Sequence, residues 1–246
     1  MRTSSPALYD QEPFRAAAAR EFRPGGLELT EEAARECALQ PGERVLDVAC
    51  GVGATAEHLA ARWGARAVGL DRSARFIEEA SARSHAAAWV QGEAERLPFV
   101  DGAFDAVFCE CFLTMAADPG VVLREAHRVL RPGGRLAVTD VYLRVPEAAS
   151  GLERVPPQTC LAGARGREAV LADVEATGFR VRLWRDRSDA LKILTARLIL
   201  ACDSVEEFWS GVLGASDGRP EAVSRSHPGY YLLVADRADT AKALGE

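Results

Sequence analysis

The segment Arg44–Gly53, RVLDVACGVG, decides the fold of this 246-residue chain. Its first half is a short apolar run after a turn, which is typical of a buried strand. Two glycines, Gly51 and Gly53, follow at once, and the residues Ala54–Trp63 are predicted to be helical. Glycine permits the sharp turn from strand to helix and lets a ligand approach the backbone closely. The segment therefore predicts a strand, a ligand-binding loop and a helix.

An acidic residue, Asp71, ends the next apolar run, Ala67–Leu70. It lies about 20 residues after Gly51, where a carboxylate can accept hydrogen bonds from the hydroxyls of a ribose. This arrangement fits a nicotinamide dinucleotide, because Gly51, Gly53 and Ala56 match its permissive fingerprint. It fits S-adenosylmethionine (SAM) equally well at this point.

Strand-like and helical segments alternate along the chain, which predicts an α/β fold. We expect a Rossmann-like, seven-stranded, mostly parallel sheet with helices on both faces and the last strand antiparallel. The predicted strands are Arg44–Ala49, Ala67–Leu70, Ala88–Val90, Phe104–Phe108, Arg135–Val141, Phe179–Trp184 and Gly229–Ala235. Ligands in such sheets bind beyond the carboxyl ends of the strands. That edge collects Asp47, Asp71, Cys109 and Asp140.

Three details favour SAM over a dinucleotide. Asp47, at the end of the first strand, can face the positive amino group of a methionine, whereas it would repel a pyrophosphate. Glu93, in the segment GEAERLPF after the third strand, can accept a hydrogen bond from an adenine amino group. The segments FDAV (104–107) and LRPGG (130–134) then follow in order.

With these motifs in order, residues 40–142 resemble the class I SAM-dependent methyltransferases, in particular the ubiquinone and menaquinone C-methyltransferases. The resemblance implies SAM as cofactor and S-adenosylhomocysteine as product. The family often has glycine where this chain has Ala49. The resemblance implies cofactor contacts from Asp47, Ala49, Gly51, Gly53, Asp71, Arg72, Gly92, Glu93, Ala94, Cys109 and Glu110.

A second resemblance concerns the acceptor. The stretches TDVY (139–142) and CLAGA (160–164), followed by a helix before Gly178, look like the matching part of arsenite methyltransferases. In that family a cysteine at the place of Cys160 is an arsenic ligand, since a soft trivalent centre prefers thiolates. The family's other arsenic-binding cysteines have no clear counterparts here. The candidate metalloid ligands are Cys109, Cys111 and Cys160, with Cys109 and Cys111 on one face if the strand continues.

The reaction predicted by the resemblance is methyl transfer to a small molecule, either a thiol-ligated metalloid such as arsenite or an organic acceptor such as a quinone. The candidate catalytic residues are Glu110 and Asp140, as general bases for an organic acceptor, and Cys160 for a soft one. Two other interpretations remain open: a nicotinamide-dependent oxidoreductase, and a non-catalytic SAM- or metalloid-binding module. A further alternative is that Cys160 binds no acceptor and simply packs a covering loop.

Composition excludes several classes of partner. Lys and Arg number 30 against 36 Asp and Glu, a net charge of −6, which argues against nucleic-acid binding and against a polybasic membrane site. The arginine run between Arg180 and Arg187 is interpreted as a solvated edge strand. The first residues, MRTSSPALYDQEPF, lack an apolar core, so we expect no signal peptide and a cytoplasmic protein. The six cysteines do not suggest a disulfide scaffold.

The chain is expected to form one methyltransferase domain over residues 1–246, as a monomer or a homodimer. Within it, residues 1–40 are predicted to be a helical cap, 41–142 the SAM-binding core, and 143–246 the cover of the acceptor pocket and the end of the sheet. In the cap we predict a helix over Phe14–Phe22 and another that Thr30 caps. Tyr9 and Arg23 are expected to fold over the cofactor.

Overall fold

A single seven-stranded sheet organises the protein, whose computed structural model describes residues 23–150, 152, 155–156, 159–202, 204–213 and 220–238. The strand order is β3-β2-β1-β4-β5-β7-β6. The strands are β1 (Arg44–Val48), β2 (Arg66–Asp71), β3 (Ala88–Gln91), β4 (Phe104–Glu110), β5 (Leu130–Leu143), β6 (Phe179–Asp186) and β7 (Pro228–Arg237). Strands β1 to β5 pair in parallel, and β7 is antiparallel to both β5 and β6. The predicted Rossmann-like sheet with an antiparallel last strand is confirmed.

Helices cover both faces of this sheet, as predicted. They are α1 (Gly26–Glu36), α2 (Ala54–Trp63), α3 (Ala74–Arg83), α4 (Pro119–Val129), α5 (Arg167–Ala176), α6 (Ser188–Ala201), α7 (Val205–Leu213) and α8 (Pro220–Ser226). On one face the core joins α1, α2, α6 and α7, with Tyr230 among its largest buried side chains. On the other it joins α4 and α5, with Tyr231 buried there. The alternation of Tyr230 and Tyr231 along β7 sends one ring to each core.

Side-chain caps fix two of the helices that border the site. Ser73 Oγ accepts a hydrogen bond from the backbone N–H of Phe76 at 3.4 Å, so α3 starts directly after β2. Asp118 Oδ1 accepts from the N–H of Val121 at 3.1 Å and starts α4. Each cap satisfies an N–H group that the first turn of a helix leaves unpaired.

Some predicted element boundaries are wrong. Helix α1 begins at Gly26, so Thr30 lies inside it, fully buried, and does not cap it. Strand β5 begins at Leu130 and not at the predicted Arg135, because Leu130 already pairs with Phe104. The Pro-Gly-Gly segment 132–134 therefore lies inside the strand, where the pairing with β4 is irregular. The predicted helix Phe14–Phe22 and Tyr9 lie outside the described residues. Within the described ranges, none of the helices combines the length and apolarity that crossing a bilayer requires.

The arginine run forms the edge strand β6, as predicted, and carboxylates neutralise it. Arg180 and Arg182 reach Asp236 on the neighbouring β7 at 3.0 and 3.2 Å. Arg185 and Arg187 instead bridge to Glu32 on α1. Each of these ion pairs is partly exposed and contributes little to the free energy of unfolding alone. The two bridges to Glu32 nevertheless attach α1 to β6, the edge strand of the sheet.

Candidate functional site

The glycine loop lies at the carboxyl end of β1 and contains three residues in the left-handed region, Ala49 (φ 58°), Gly51 (φ 54°) and Gly53 (φ 82°). A Cβ atom added to Gly51 would meet nothing within 4 Å, so open space adjoins this glycine. A Cβ atom on Gly53 would lie 2.3 Å from the indole of Trp89, so this glycine is required by packing. The two motif glycines therefore differ in role: one faces space for a ligand, and the other faces the protein.

Asp71 fastens this loop to the end of β2. Its Oδ2 accepts a hydrogen bond from the backbone N–H of Gly51 at 2.9 Å, and its Oδ1 accepts from the N–H of Ser73 at 2.8 Å. The N–H of Cys50 also donates to the carbonyl of Leu70 at 3.0 Å. The carboxylate is thus held at one position beside the open loop, and each of its oxygens keeps a further lone pair for a ligand hydroxyl.

Asp47 is buried at the end of β1, and its Oδ2 has no hydrogen-bond partner among the described residues. Burial raises the pKa of this carboxyl well above its ordinary value, the nearby Glu110 raises it further, and the Arg23 guanidinium opposes both. A buried carboxylate oxygen without a partner is costly, and a cationic ligand group would remove that cost. The position fits the amino group of a methionine moiety.

Glu110, the last residue of β4, joins three elements through its buried carboxylate. The hydroxyl of Thr30 on α1 donates to it at 3.0 Å, and that of Thr55 on α2 at 2.5 Å. The Arg23 guanidinium lies 2.9 Å from Glu110 Oε2. Sequence reasoning placed Glu110 at this edge and Arg23 near it, but it missed both threonines. The available signal was that Thr30 and Thr55 fall on the buried faces of helices, where a hydroxyl needs an acceptor.

Asp140 lies inside β5 and holds the 3₁₀ turn Leu113–Met115 that follows β4. Its Oδ2 accepts from the N–H of Thr114 at 3.0 Å, and its Oδ1 accepts from the Thr114 hydroxyl at 2.8 Å. A third bond, from the N–H of Val141, measures 2.7 Å. Burial raises the pKa of Asp140 to about 6, against the lowering effect of these bonds.

The cysteines at the end of β4 diverge. Cys109 packs in the core on the α4 face, whereas Cys111 packs against the opposite core. The condition under which they would share a face is not met, because β4 ends at Glu110 and Cys111 takes a left-handed conformation (φ 55°). Instead, Cys160 lies near Cys111, and its interaction with the Cys111 thiol, together with burial, raises the pKa of Cys111. No group of three potential metal ligands occurs in the described part of the chain.

The remaining predicted contacts lie around the ends of β2 and β3. Arg72 and Glu93 are exposed, while Ala94 is buried. The N–H of Gly92 donates to the carbonyl of Asp71 at 3.0 Å, so the segment after β3 is adjacent to the carboxylate. The structure thus brings together Asp47, the glycine loop, Asp71 and the segment Gly92–Ala94 along one edge of the sheet. Glu110 and Arg23 adjoin them at β4, and the pair Cys111–Cys160 lies beyond.

Residues 46–138, the part that contains this edge, match the family described as "Methyltransferase domain". A demethylmenaquinone methyltransferase of Beutenbergia cavernae is 44% identical over 101 residues, which are 41% of this chain and 42% of that protein. The chain spans about half the length of the curated relatives that it matches first.

Solved structures extend the likeness to most of the chain. The [4+2]-cyclase SpnF is 27% identical with a TM-score of 0.69, covering 86% of this chain and 80% of that one. Phosphoethanolamine N-methyltransferase 2 of Haemonchus contortus, solved with S-adenosylmethionine, is 16% identical with a TM-score of 0.73, covering 93% of this chain and 56% of that one. The fold is therefore that of a methyltransferase.

Proposed function

We propose that this chain is a SAM-dependent methyltransferase of a small organic molecule. One observation carries the proposal: Asp47 Oδ2, buried and without a partner, adjoins a glycine loop with open space beside Gly51. A ligand that brings a cation to this carboxylate and a ribose to Asp71 satisfies both features. The match of residues 46–138 to a methyltransferase domain supports this assignment.

The residues present fit SAM. Asp47 would accept from its amino group, Asp71 from its ribose hydroxyls, and Glu93 from its adenine amino group. SAM supplies an activated methyl group on a sulfonium, so the protein mainly needs to bind, orient and exclude water. Glu110 contributes by fixing α1 and Arg23 against the end of β4. We further propose that the chain acts in the cytoplasm as one domain, with residues 1–40 as cap, 41–142 as core and 143–246 as cover.

An organic acceptor is favoured because the relatives with named substrates include methyltransferases of demethylmenaquinone, of 2-phytyl-1,4-naphtoquinone and of 27-O-demethylrifamycin SV. A quinone-like acceptor has an acidic carbon or hydroxyl, so a base would assist. The candidate bases are Asp140 and Glu110: both carboxylates are buried and hydrogen-bonded, and Asp140 has a pKa of about 6.

A thiol-ligated metalloid is the second candidate acceptor, and the proximity of Cys111 to Cys160 favours it. Two thiolates can hold a soft trivalent centre. Cys109, however, packs on the other face of the sheet, and no third ligand joins the pair among the described residues. The organic acceptor therefore remains the primary proposal.

The test measures conversion of SAM to S-adenosylhomocysteine by the purified, reduced protein. Quinols and phenols form one acceptor panel, and arsenite with a thiol forms the other. Turnover with the first panel and unchanged turnover in Cys160→Ala supports the organic acceptor. Arsenite-dependent turnover that is lost in Cys160→Ala would replace it by the metalloid.

Binding distinguishes the remaining outcomes. Calorimetry with S-adenosylhomocysteine should give binding that weakens in Asp47→Asn but not in Asp101→Asn, whose carboxylate is exposed. Binding without turnover on either panel would indicate a non-catalytic module or chemistry other than methyl transfer on this fold. Absence of binding would overturn the proposal, and binding of NADH in its place would indicate the oxidoreductase.

A further inference from the structure

Three buried carboxylates lie side by side at the edge of the sheet that carries the glycine loop. Asp47 on β1 pairs in register with Gly69 on β2 and with Phe108 on β4. Asp71 and Glu110 each lie two residues further along those strands, so their side chains lie on the same face of the sheet as that of Asp47. The spacing of strands and residues puts each of them roughly 8 Å from Asp47, measured between Cα atoms. None of the three is more than 9% exposed.

Hydrogen-bond donors are distributed unequally over this row of carboxylates. Glu110 has the Arg23 guanidinium at 2.9 Å and two threonine hydroxyls. Asp71 accepts from two backbone N–H groups. Asp47 lies between them, and its Oδ2 has no hydrogen-bond partner among the described residues. The guanidinium that neutralises this row is therefore engaged by Glu110, and Asp47 lacks a counter-charge of its own.

A buried carboxylate without a counter-charge is costly, and the group avoids that cost by keeping its proton. Burial and the nearby Glu110 raise the pKa of Asp47, in agreement with this argument, although Arg23 and Asp71 also act on it. The other titratable groups beside Asp47 are thiols, whose pKa burial raises, so they carry no charge near neutral pH: Cys50 in the loop and Cys109 on β4. The proton therefore belongs on Asp47 in the unliganded protein.

We propose that the unliganded protein holds a proton on Asp47 and releases it when the ammonium group of a ligand binds there. The proton passes from the carboxyl group to the buffer, and the remaining carboxylate pairs with the ammonium group. The ligand class is a nucleoside thioether or sulfonium that carries an α-amino acid, as SAM does. The choice of ligand rests on the proposed function, whereas the protonated state of the free protein does not.

Calorimetry with S-adenosylhomocysteine measures the release. The heat of binding is recorded at about pH 6.5 in phosphate, PIPES and imidazole, and its slope against the ionisation enthalpy of the buffer gives the number of protons exchanged. An α-amino group with a pKa near 8 is already protonated at this pH and contributes little. We expect release of roughly half to one proton per ligand. Because the complex binds fewer protons than the free protein, the Kd should fall as pH rises from about 6 to 7.

One ligand and three variants assign the proton. 5′-Methylthioadenosine keeps the adenosine and the thioether but lacks the amino acid, so it should bind without releasing a proton. Asp47→Asn should abolish the release, whereas Asp101→Asn, which alters an exposed carboxylate, should retain it. Asp140→Asn should also retain it, because Asp140 pairs with Tyr231 and lies on the opposite face of the sheet. Release that is lost in Asp140→Asn and kept in Asp47→Asn would overturn the proposal.

Infrared spectroscopy tests the proton without a ligand. A protonated carboxyl group has a C=O band that a carboxylate lacks, so the difference between the unaltered chain and Asp47→Asn at about pH 6.5 should contain this band. Asp101→Asn should not remove the band, and S-adenosylhomocysteine should remove it from the unaltered chain.

The two measurements separate this proposal from the proposed function. If S-adenosylhomocysteine does not bind, the proposed function fails, and the infrared band still decides whether Asp47 holds a proton. If S-adenosylhomocysteine binds without releasing a proton, or if the band is absent or persists in the complex, the proposed function stands and the proton release is overturned.

Discussion

The backbone N–H of Gly51 donates to Asp71 Oδ2 at 2.9 Å, so the acidic residue of β2 holds the glycine loop of β1. The two motifs that identify the site in the sequence are therefore one structural unit. Asp71 is almost fully buried, and its other oxygen, Oδ1, accepts one hydrogen bond from the N–H of Ser73 at the start of α3. Any ligand hydroxyl bound by Asp71 would meet a carboxylate that is already oriented.

Replacing Asp71 by alanine should weaken S-adenosylhomocysteine binding by about 1–3 kcal/mol, or roughly 5- to 150-fold in Kd, because hydrogen bonds to the ribose are lost and the loop loses its anchor. Calorimetry measures the change. Asp101→Ala, which removes an exposed carboxylate, is the control and should bind normally. Equal affinity of Asp71→Ala and the unaltered chain would refute the ribose assignment.

Asp47→Asn should move stability and binding in opposite directions. Because burial raises the pKa of Asp47, the unliganded fold loses stability as pH rises above the group's ordinary pKa, and a neutral amide removes that loss. Urea unfolding at neutral pH should therefore show an equal or more stable variant. S-adenosylhomocysteine binding should weaken by about 1.5–3 kcal/mol, since a bond between charged groups disappears. Weakened binding together with lower stability would instead mean a structural role.

Alanine at the two motif glycines should separate binding from folding. Both positions have positive φ, so each substitution costs roughly 1–2 kcal/mol of backbone strain. At Gly53 the added methyl group also collides with Trp89, so Gly53→Ala should be clearly the less stable in urea. Gly51→Ala should fold but lose affinity for S-adenosylhomocysteine, because its methyl group enters the open space. In a Trp89→Ala background, Gly53→Ala should no longer be less stable than Gly51→Ala, because the colliding indole is gone. The same order of stability in that background would contradict the collision.

The strands and the order of the chemistry-bearing loops could be predicted because alternating apolar segments and turn residues carry them locally. The antiparallel direction of β7 has no such local signal. Asp47, Asp71 and Glu110 could be placed at one edge for the same reason, since strand ends determine their position. Their hydrogen-bond partners at that edge could not be predicted, because the partners come from segments that no local sequence pattern connects. The bond from Thr30 to Glu110 joins residues of α1 and β4, and nothing in either segment alone indicates it.

The cysteines illustrate the same limit. The spacing of Cys109 and Cys111 predicts one face only while the strand continues, and the strand ends one residue too early. The left-handed conformation of Cys111 has no sequence signal, because the residue is not glycine. Its proximity to Cys160 depends on the packing of Gly163 against Thr114, which is a tertiary effect.

The stability of the protein should depend on Asp140 between pH 3.8 and about 6. The folded-state pKa is raised, so the folded protein binds the proton more tightly than the unfolded chain, and stability falls as pH rises through this window. The loss attributable to Asp140 is on the order of 2–3 kcal/mol and is complete above the folded-state pKa. Urea unfolding at several pH values measures it, and Asp140→Asn should flatten the profile. An unchanged profile in the variant would contradict the assigned pKa.

Glu110→Gln should loosen α1 and leave the sheet intact. The neutral amide still accepts from Thr30 or Thr55, but it no longer neutralises Arg23, and losing a bond to a charged group costs about 1.5–3 kcal/mol. Amide hydrogen exchange should therefore accelerate about tenfold or more in residues 26–36, with little change in β4 and β5. Thr55→Val, which removes one neutral donor, is the control and should have a smaller effect. Acceleration throughout the sheet in Glu110→Gln would show that the carboxylate supports the whole core and not α1 alone.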